Sequence, residues 1–143
     1  MKLVLLTLTL ILTATAVMAQ TPATPSPSIA KNSRCFELRT YYAAPGKLEA
    51  LNARFRDHTC ALFKKHGMEI VGFWIPTDKE KGADNTLVYL LAHQSRDAAK
   101  ASWDAFRKDP AWEKARTESE VNGKLVDKVE AVFLAATDYS PVK

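Results

Sequence analysis

Glu37 and Arg39 stand two residues apart in the stretch Cys35-Phe36-Glu37-Leu38-Arg39-Thr40-Tyr41-Tyr42. In an extended strand, residues i and i+2 share a face about 7 Å apart, so a carboxylate and a guanidinium are presented side by side. Arg39 can hold an anionic or carbonyl group through charge-assisted donors, and Glu37 can orient Arg39 or handle a proton. The same pair also serves a plainer end, neutralising itself or groups of a second chain and pinning the strand register. Spacing alone leaves both readings open. Tyr41, Trp74 and Tyr89 fall on strand-like segments and can line the same cavity, although strand aromatics commonly form core. His93 ends a strand on the side of Tyr89, where it reads either as an acid–base group or as an edge histidine satisfied by its neighbours.

Other chemistry is poorly served. The chain has no Gly-rich phosphate loop, GxSxG, HExxH, CxxC or EF-hand loop, so no nucleotide, metal or other cofactor is expected. His58 and Cys60 lie two apart on a helical segment and do not face each other, which argues against a metal site. His66, just before Gly67, is placed to interact with a helix C-terminus. The net charge of +4 is spread among acids along the helices rather than gathered in a basic stripe, so no nucleic-acid partner is expected.

The elements that must position these groups follow from periodicity. The 143 residues suffice for one ordinary domain, with 47% apolar and 25% charged residues. After the first strand, Pro45-Gly46 turns the chain into a helix over 47–66, with Leu48, Leu51, Phe55, Thr59, Leu62, Phe63 and His66 on one stripe and Gly67 as its stop. Arg54 is assigned to the solvated side. A second strand covers 68–75 and ends at Pro76. A charged loop over 77–85 leads to a third strand over 86–93. Ser95 caps a helix to about Phe106, and Asp109-Pro110 restarts one that carries Trp112 and breaks at Asn122-Gly123. The last strand covers 129–137.

The order βαββ(αα)β predicts an α+β, ferredoxin-like βαββαβ domain, an antiparallel sheet with its helices on one face. Strands three and four are apolar on both sides. A bare face of roughly 600 Å² at about 25 cal/mol/Å² forgoes on the order of 15 kcal/mol of burial before association costs. A second copy packed sheet to sheet is the simplest cover, which predicts a homodimer closed into a barrel-like core. With Phe36 and Leu38 turned to the helices, Glu37 and Arg39 would point into that barrel.

The segments Phe36-Glu37-Leu38-Arg39-Thr40-Tyr41, Pro45-Gly46-Lys47, Phe63-Lys64-Lys65-His66-Gly67, Val71-Gly72-Phe73-Trp74, Asp109-Pro110-Ala111-Trp112 and Thr137-Asp138-Tyr139-Ser140-Pro141 together resemble a NIPSNAP domain over roughly 34–142. The resemblance implies the dimeric α+β barrel fold. Relatives sharing that barrel include cofactor-independent monooxygenases, an analogy of fold and not of site. The expectation is a homodimer that binds a small, partly apolar ligand in its barrel cavity. The alternatives are a monooxygenase-type enzyme and a structural or protein-interaction module.

The N-terminal segment, 1–19, reads as a signal peptide: Lys2, an apolar run from Leu3 to Val17, and Val17-Met18-Ala19 before the cut. The run falls short of the ~20 residues that span a bilayer, so an exported protein without a lasting membrane anchor is expected, periplasmic or extracellular. Residues 20–33, rich in Pro, Thr and Ser, read as a flexible linker, 34–137 as the domain, and 138–143 as an exposed tail. Cys35 and Cys60 are expected as unpaired thiols, because their side chains point in different directions.

Overall fold

The computed structural model describes residues 24–143. The expected signal segment and the first linker residues lie outside the described residues. Strand β1 (Cys35–Ala43) leads to α1 (Leu48–Arg54), which runs through a π-helical turn (Phe55–Thr59) into α2 (Cys60–Lys65). Strands β2 (Glu69–Trp74) and β3 (Thr86–His93) follow, then α3 (Arg96–Arg107), α4 (Pro110–Ser119) and β4 (Val126–Ala135). The sheet order is β2-β3-β1-β4 with every neighbouring pair antiparallel, the split βαβ arrangement expected from the element order.

The helix ends are set by local chemistry. Ser95 Oγ accepts the Ala98 N–H at 3.1 Å and starts α3. Asp109 Oδ1 accepts the Ala111 N–H at 2.9 Å, and Pro110 occupies the first turn of α4, where its missing N–H leaves no bond unmade. Phe55, Thr59, Leu62 and Phe63 are all buried through the π turn, and the Thr59 hydroxyl donates to the Arg54 carbonyl at 3.2 Å.

Tyr89, with no exposed surface, is the centre of the core. Tyr41, Phe55, Phe63 and Phe73 surround it with ring centroids 5.2 to 5.8 Å away. In the β1–β3 register Arg39 opposes Tyr89, Glu37 opposes Leu91, and Tyr41 opposes Leu87. Glu37, Arg39 and Tyr41 therefore face the helices, which corrects the expectation that they point away from them. Leu38, Thr40, Val88 and Leu90 lie on the opposite, open face with Val132 and Leu134 of β4. Val132 and Leu134 are 53% and 42% exposed. Gly72 lies on that face beneath the Trp74 ring, and a Cβ there would come within 2.7 Å of that ring.

Within the segment 20–33 read as a linker, residues 28–30 pair with the chain's end: Ile29 bridges Thr137, Ala30 N–H donates to the Ala136 carbonyl at 2.9 Å, and the Asp138 N–H donates to the Ser28 carbonyl at 2.8 Å. Backbone pairing ties down residues whose side chains offer little to bury. Arg34 joins the same end, bonding Glu69 at 2.5 Å and the Lys143 carbonyl at 3.0 Å.

Candidate functional site

Glu37 is the centre of the polar cluster beneath α3. It is 2% exposed, and its two oxygens take three donors. Arg39 Nη1 lies 2.6 Å from Oε1, while Trp103 Nε1 and His93 Nε2 lie 2.7 and 3.1 Å from Oε2. A carboxylate this buried needs such saturation, since an unpaired one would cost several kcal/mol. Trp103 serves twice, because its ring also carries the Arg39 guanidinium 4.2 Å above its centroid. The cluster thus fixes Arg39 by an ion pair from below and a ring face from the side.

Arg39 is not saturated in return. Among the described residues Glu37 is its one hydrogen-bond partner, and the buried Nε makes no hydrogen bond. On the opposing position of β3, the buried Tyr89 hydroxyl also lacks a partner. Burial, with Tyr41 close by, pushes the Tyr89 phenol well above the usual tyrosine range, so it stays a neutral donor. Burial works against the Arg39 charge, but Tyr89, Tyr41 and Glu37 offset it and leave the guanidinium above its ordinary value.

Arg39 and Tyr41 form the floor of a groove of about 420 Å³. Trp103, Phe106 and Arg107 of α3 and Trp112, Glu113 and Arg116 of α4 supply its walls. Phe106 and Trp112 lie 4.6 Å apart at 36°, which brings the two helices together at the rim. The wall is braced from behind. Arg54 is buried, bonds Glu120 at 2.9 Å and Ser119 at 3.3 Å, and places its guanidinium 5.2 Å from the Trp112 ring centre. The start of α4 is clamped to the end of α2, with Lys65 Nζ 2.6 Å and His66 Nε2 2.7 Å from Asp109 Oδ2. Lys65, then His66 and the Ala111 N–H, hold the Asp109 carboxyl far below the usual range.

The structure brings five of the six candidate residues to one place: Glu37, Arg39, Tyr41, Tyr89 and His93 share the helix-covered face. Trp74 is separate, on the edge strand β2 and 53% exposed. His93 is buried behind Glu37 and does not line the groove. His66 bonds a side chain of another helix rather than its own helix end. Sequence reasoning missed Trp103, Arg107, Arg116 and the burial of Arg54. An indole placed to be buried requires a hydrogen-bond acceptor, and a Glu37 paired to Arg39 through one oxygen has a second to offer, so that pairing had a signal. Cys35 and Cys60 are free thiols, each raised chiefly by burial. Among the described residues no group of three His, Cys, Asp or Glu side chains is placed to hold a metal, and no helix is long and apolar enough to cross a membrane.

The NIPSNAP family model matches residues 36–141, the whole span from β1 to the C-terminal turn. The chain belongs to the NIPSNAP family. It is similar to a NIPSNAP family protein of unknown function from Agrobacterium tumefaciens, with 22% identity and a TM-score of 0.70, over 81% of this chain and 99% of that one. A second Agrobacterium tumefaciens NIPSNAP family protein aligns at 20% identity and a TM-score of 0.65, over 76% of this chain and 98% of that one. An uncharacterized NIPSNAP domain protein from Burkholderia xenovorans aligns at 21% identity and a TM-score of 0.62, over 75% of this chain and 98% of that one. These likenesses establish the fold. No curated protein matches the chain.

Proposed function

We propose that this NIPSNAP domain binds a small, partly apolar anion in the groove between β1 and the α3–α4 pair. The observation that carries the reading is Arg39, a guanidinium fixed by Glu37 and Trp103 that lines the groove, 17% exposed, with Glu37 its one hydrogen-bond partner among the described residues. A ligand carboxylate or carbonyl in the groove would meet the guanidinium N–H groups that Glu37 leaves unbonded. Trp103, Phe106 and Trp112 suit an apolar body, and the volume falls within the usual range of ligand pockets. The site moves from the barrel cavity to the helix side of the sheet, because that is where the pair points. The oxygenase-type alternative asks for an acid–base group at the groove, and His93, shut behind Glu37, does not supply one. The interaction-module alternative would leave the Arg39 donors unmade.

The test is titration of 1-naphthoate against 1-naphthamide, followed by tryptophan fluorescence. The acid is expected to bind and the amide to bind at least about tenfold more weakly, the scale of one charge-assisted hydrogen bond. Arg39→Lys, which keeps the charge beside Glu37 but loses the planar fork, is expected to weaken the acid by about tenfold, and Arg116→Gln by a few-fold. Equal binding of acid and amide, or affinity unchanged in both variants, overturns the proposal.

The same reading includes a homodimer formed through the open sheet face. Its middle is apolar, with Leu38, Val88, Leu90, Val132 and Leu134. Its ends are polar, with the Tyr42 hydroxyl 3.1 Å from Glu130 at one and Arg34 paired to Glu69 at the other. An apolar centre inside a polar rim is the anatomy of a protein interface. Val132→Lys is expected to give a monomer by analytical ultracentrifugation. A wild-type protein that sediments as a monomer at micromolar concentration rules out the dimer. Export rests on the sequence of 1–19, and is tested by whether the mature protein begins at Gln20.

A further inference from the structure

A second pocket, of about 470 Å³, opens at the β2 edge beside the π-helical turn. Phe55, Phe73, Trp74 and Leu87 form its apolar walls, and Cys60 lies in the wall at the start of α2. It is separated from the Arg39 groove by the Tyr41–Phe55 contact, ring centroids 5.6 Å apart at 79°. Its rim carries one cation, Arg56, presented by the π turn. Among the described residues Arg56 makes no hydrogen bond and no ion pair, whereas the neighbouring rim residue Asn52 is engaged by Glu49 at 3.2 Å.

We infer that this pocket takes a medium-chain aliphatic monocarboxylate, its chain among the apolar walls and its head on Arg56. Charge complementarity chooses the anion: an apolar cavity whose mouth holds an unpaired guanidinium matches an amphiphile with one negative end. Ring geometry chooses the chain. Phe55 and Phe73 meet at 69°, edge to face, and offer no parallel pair of faces to sandwich a flat ring. Phe55 in the core and Arg56 at the rim are consecutive residues of the π turn. The site stands independently of the Arg39 groove.

The two cysteines make it measurable. Cys60 is a wall residue, while Cys35 lies on β1 away from the pocket and serves as an internal control. Alkylation of each by N-ethylmaleimide at mildly alkaline pH is followed by peptide mass spectrometry, with octanoate, octanol or 1-naphthoate present. Octanoate is expected to slow Cys60 at least fivefold and leave Cys35 unchanged. Arg56→Gln, at an exposed position, is expected to raise the octanoate needed by about tenfold, while octanol protects weakly and 1-naphthoate not at all. A Cys60 rate indifferent to octanoate overturns the proposal, as does protection by octanol equal to that by octanoate and unaltered in Arg56→Gln. Failure of naphthoate in the groove would leave this result untouched.

Discussion

Two buried carboxylates in this protein have nearly the same company and different consequences. Asp109 is met by a lysine, a histidine and a backbone N–H; Glu37 is met by an arginine, a histidine and an indole N–H. Asp109 sits at the junction of α2 and α4, and its lysine is 60% exposed. Its bonds do one thing, locking two helix ends together. Glu37 sits under α3, and its arginine is 17% exposed with donors left over. A carboxylate–cation–histidine cluster is therefore not a site by composition. What distinguishes Glu37 is that its cation is rigid, stacked and unsaturated at the floor of a groove.

Removing the Glu37 carboxylate tests that distinction most severely. Glu37→Ala leaves Arg39 as an uncompensated buried charge and strips the Trp103 indole of its acceptor, so a loss of about 3–5 kcal/mol in denaturant unfolding is expected. A loss below about 1 kcal/mol would mean that the cluster is far more hydrated than its burial indicates. Arg39→Lys comes next, with about a tenfold loss of naphthoate affinity against a modest change in stability. If stability collapses while affinity is retained, Glu37 and Asp109 are the same kind of object and the comparison fails.

Asp109→Asn has the smaller effect and the more informative pH dependence. A lowered folded-state pKa means that ionised Asp109 stabilises the fold fully above its unfolded value near 4, and that this contribution is lost as pH falls toward the folded value. Wild type is thus expected to lose melting temperature below about pH 4, and Asp109→Asn to start a few degrees lower at pH 7 with a shallower acid limb. Naphthoate affinity in Asp109→Asn should change less than threefold, since the clamp touches the groove only through the position of α4. An acid limb identical to wild type would remove Asp109 as its source.

Much of this was legible in the residues. Strand alternation placed Glu37, Arg39 and Tyr41 on one face, and Ser95 and Asp109-Pro110 marked the starts of α3 and α4 where they occur. Which face they occupied was not legible, because β3 is apolar at both parities. Hydrophobicity alone favours turning Phe36 and Leu38 to the helices. The outcome depends on Trp103, 66 residues away in sequence, whose N–H makes a buried Glu37 tolerable. Arg54 was hidden for a related reason: a charged residue within a helix reads as solvated until its partners, Ser119 and Glu120, are brought beside it. The pairing of residues 28–30 with 136–138 had no side-chain signal, since it is made almost wholly by backbone groups.

The location of the ligand tests the central claim most directly. Crystals soaked with 6-bromo-2-naphthoate can be read by the anomalous signal of bromine, which marks the ring without prior assumptions about its place. The account predicts one strong peak between Trp103 and Trp112, with the carboxylate within hydrogen-bonding distance of the Arg39 guanidinium. A peak on the open face of the sheet beside Val132 and Leu134, with the groove beneath α3 and α4 free of bromine, would contradict it.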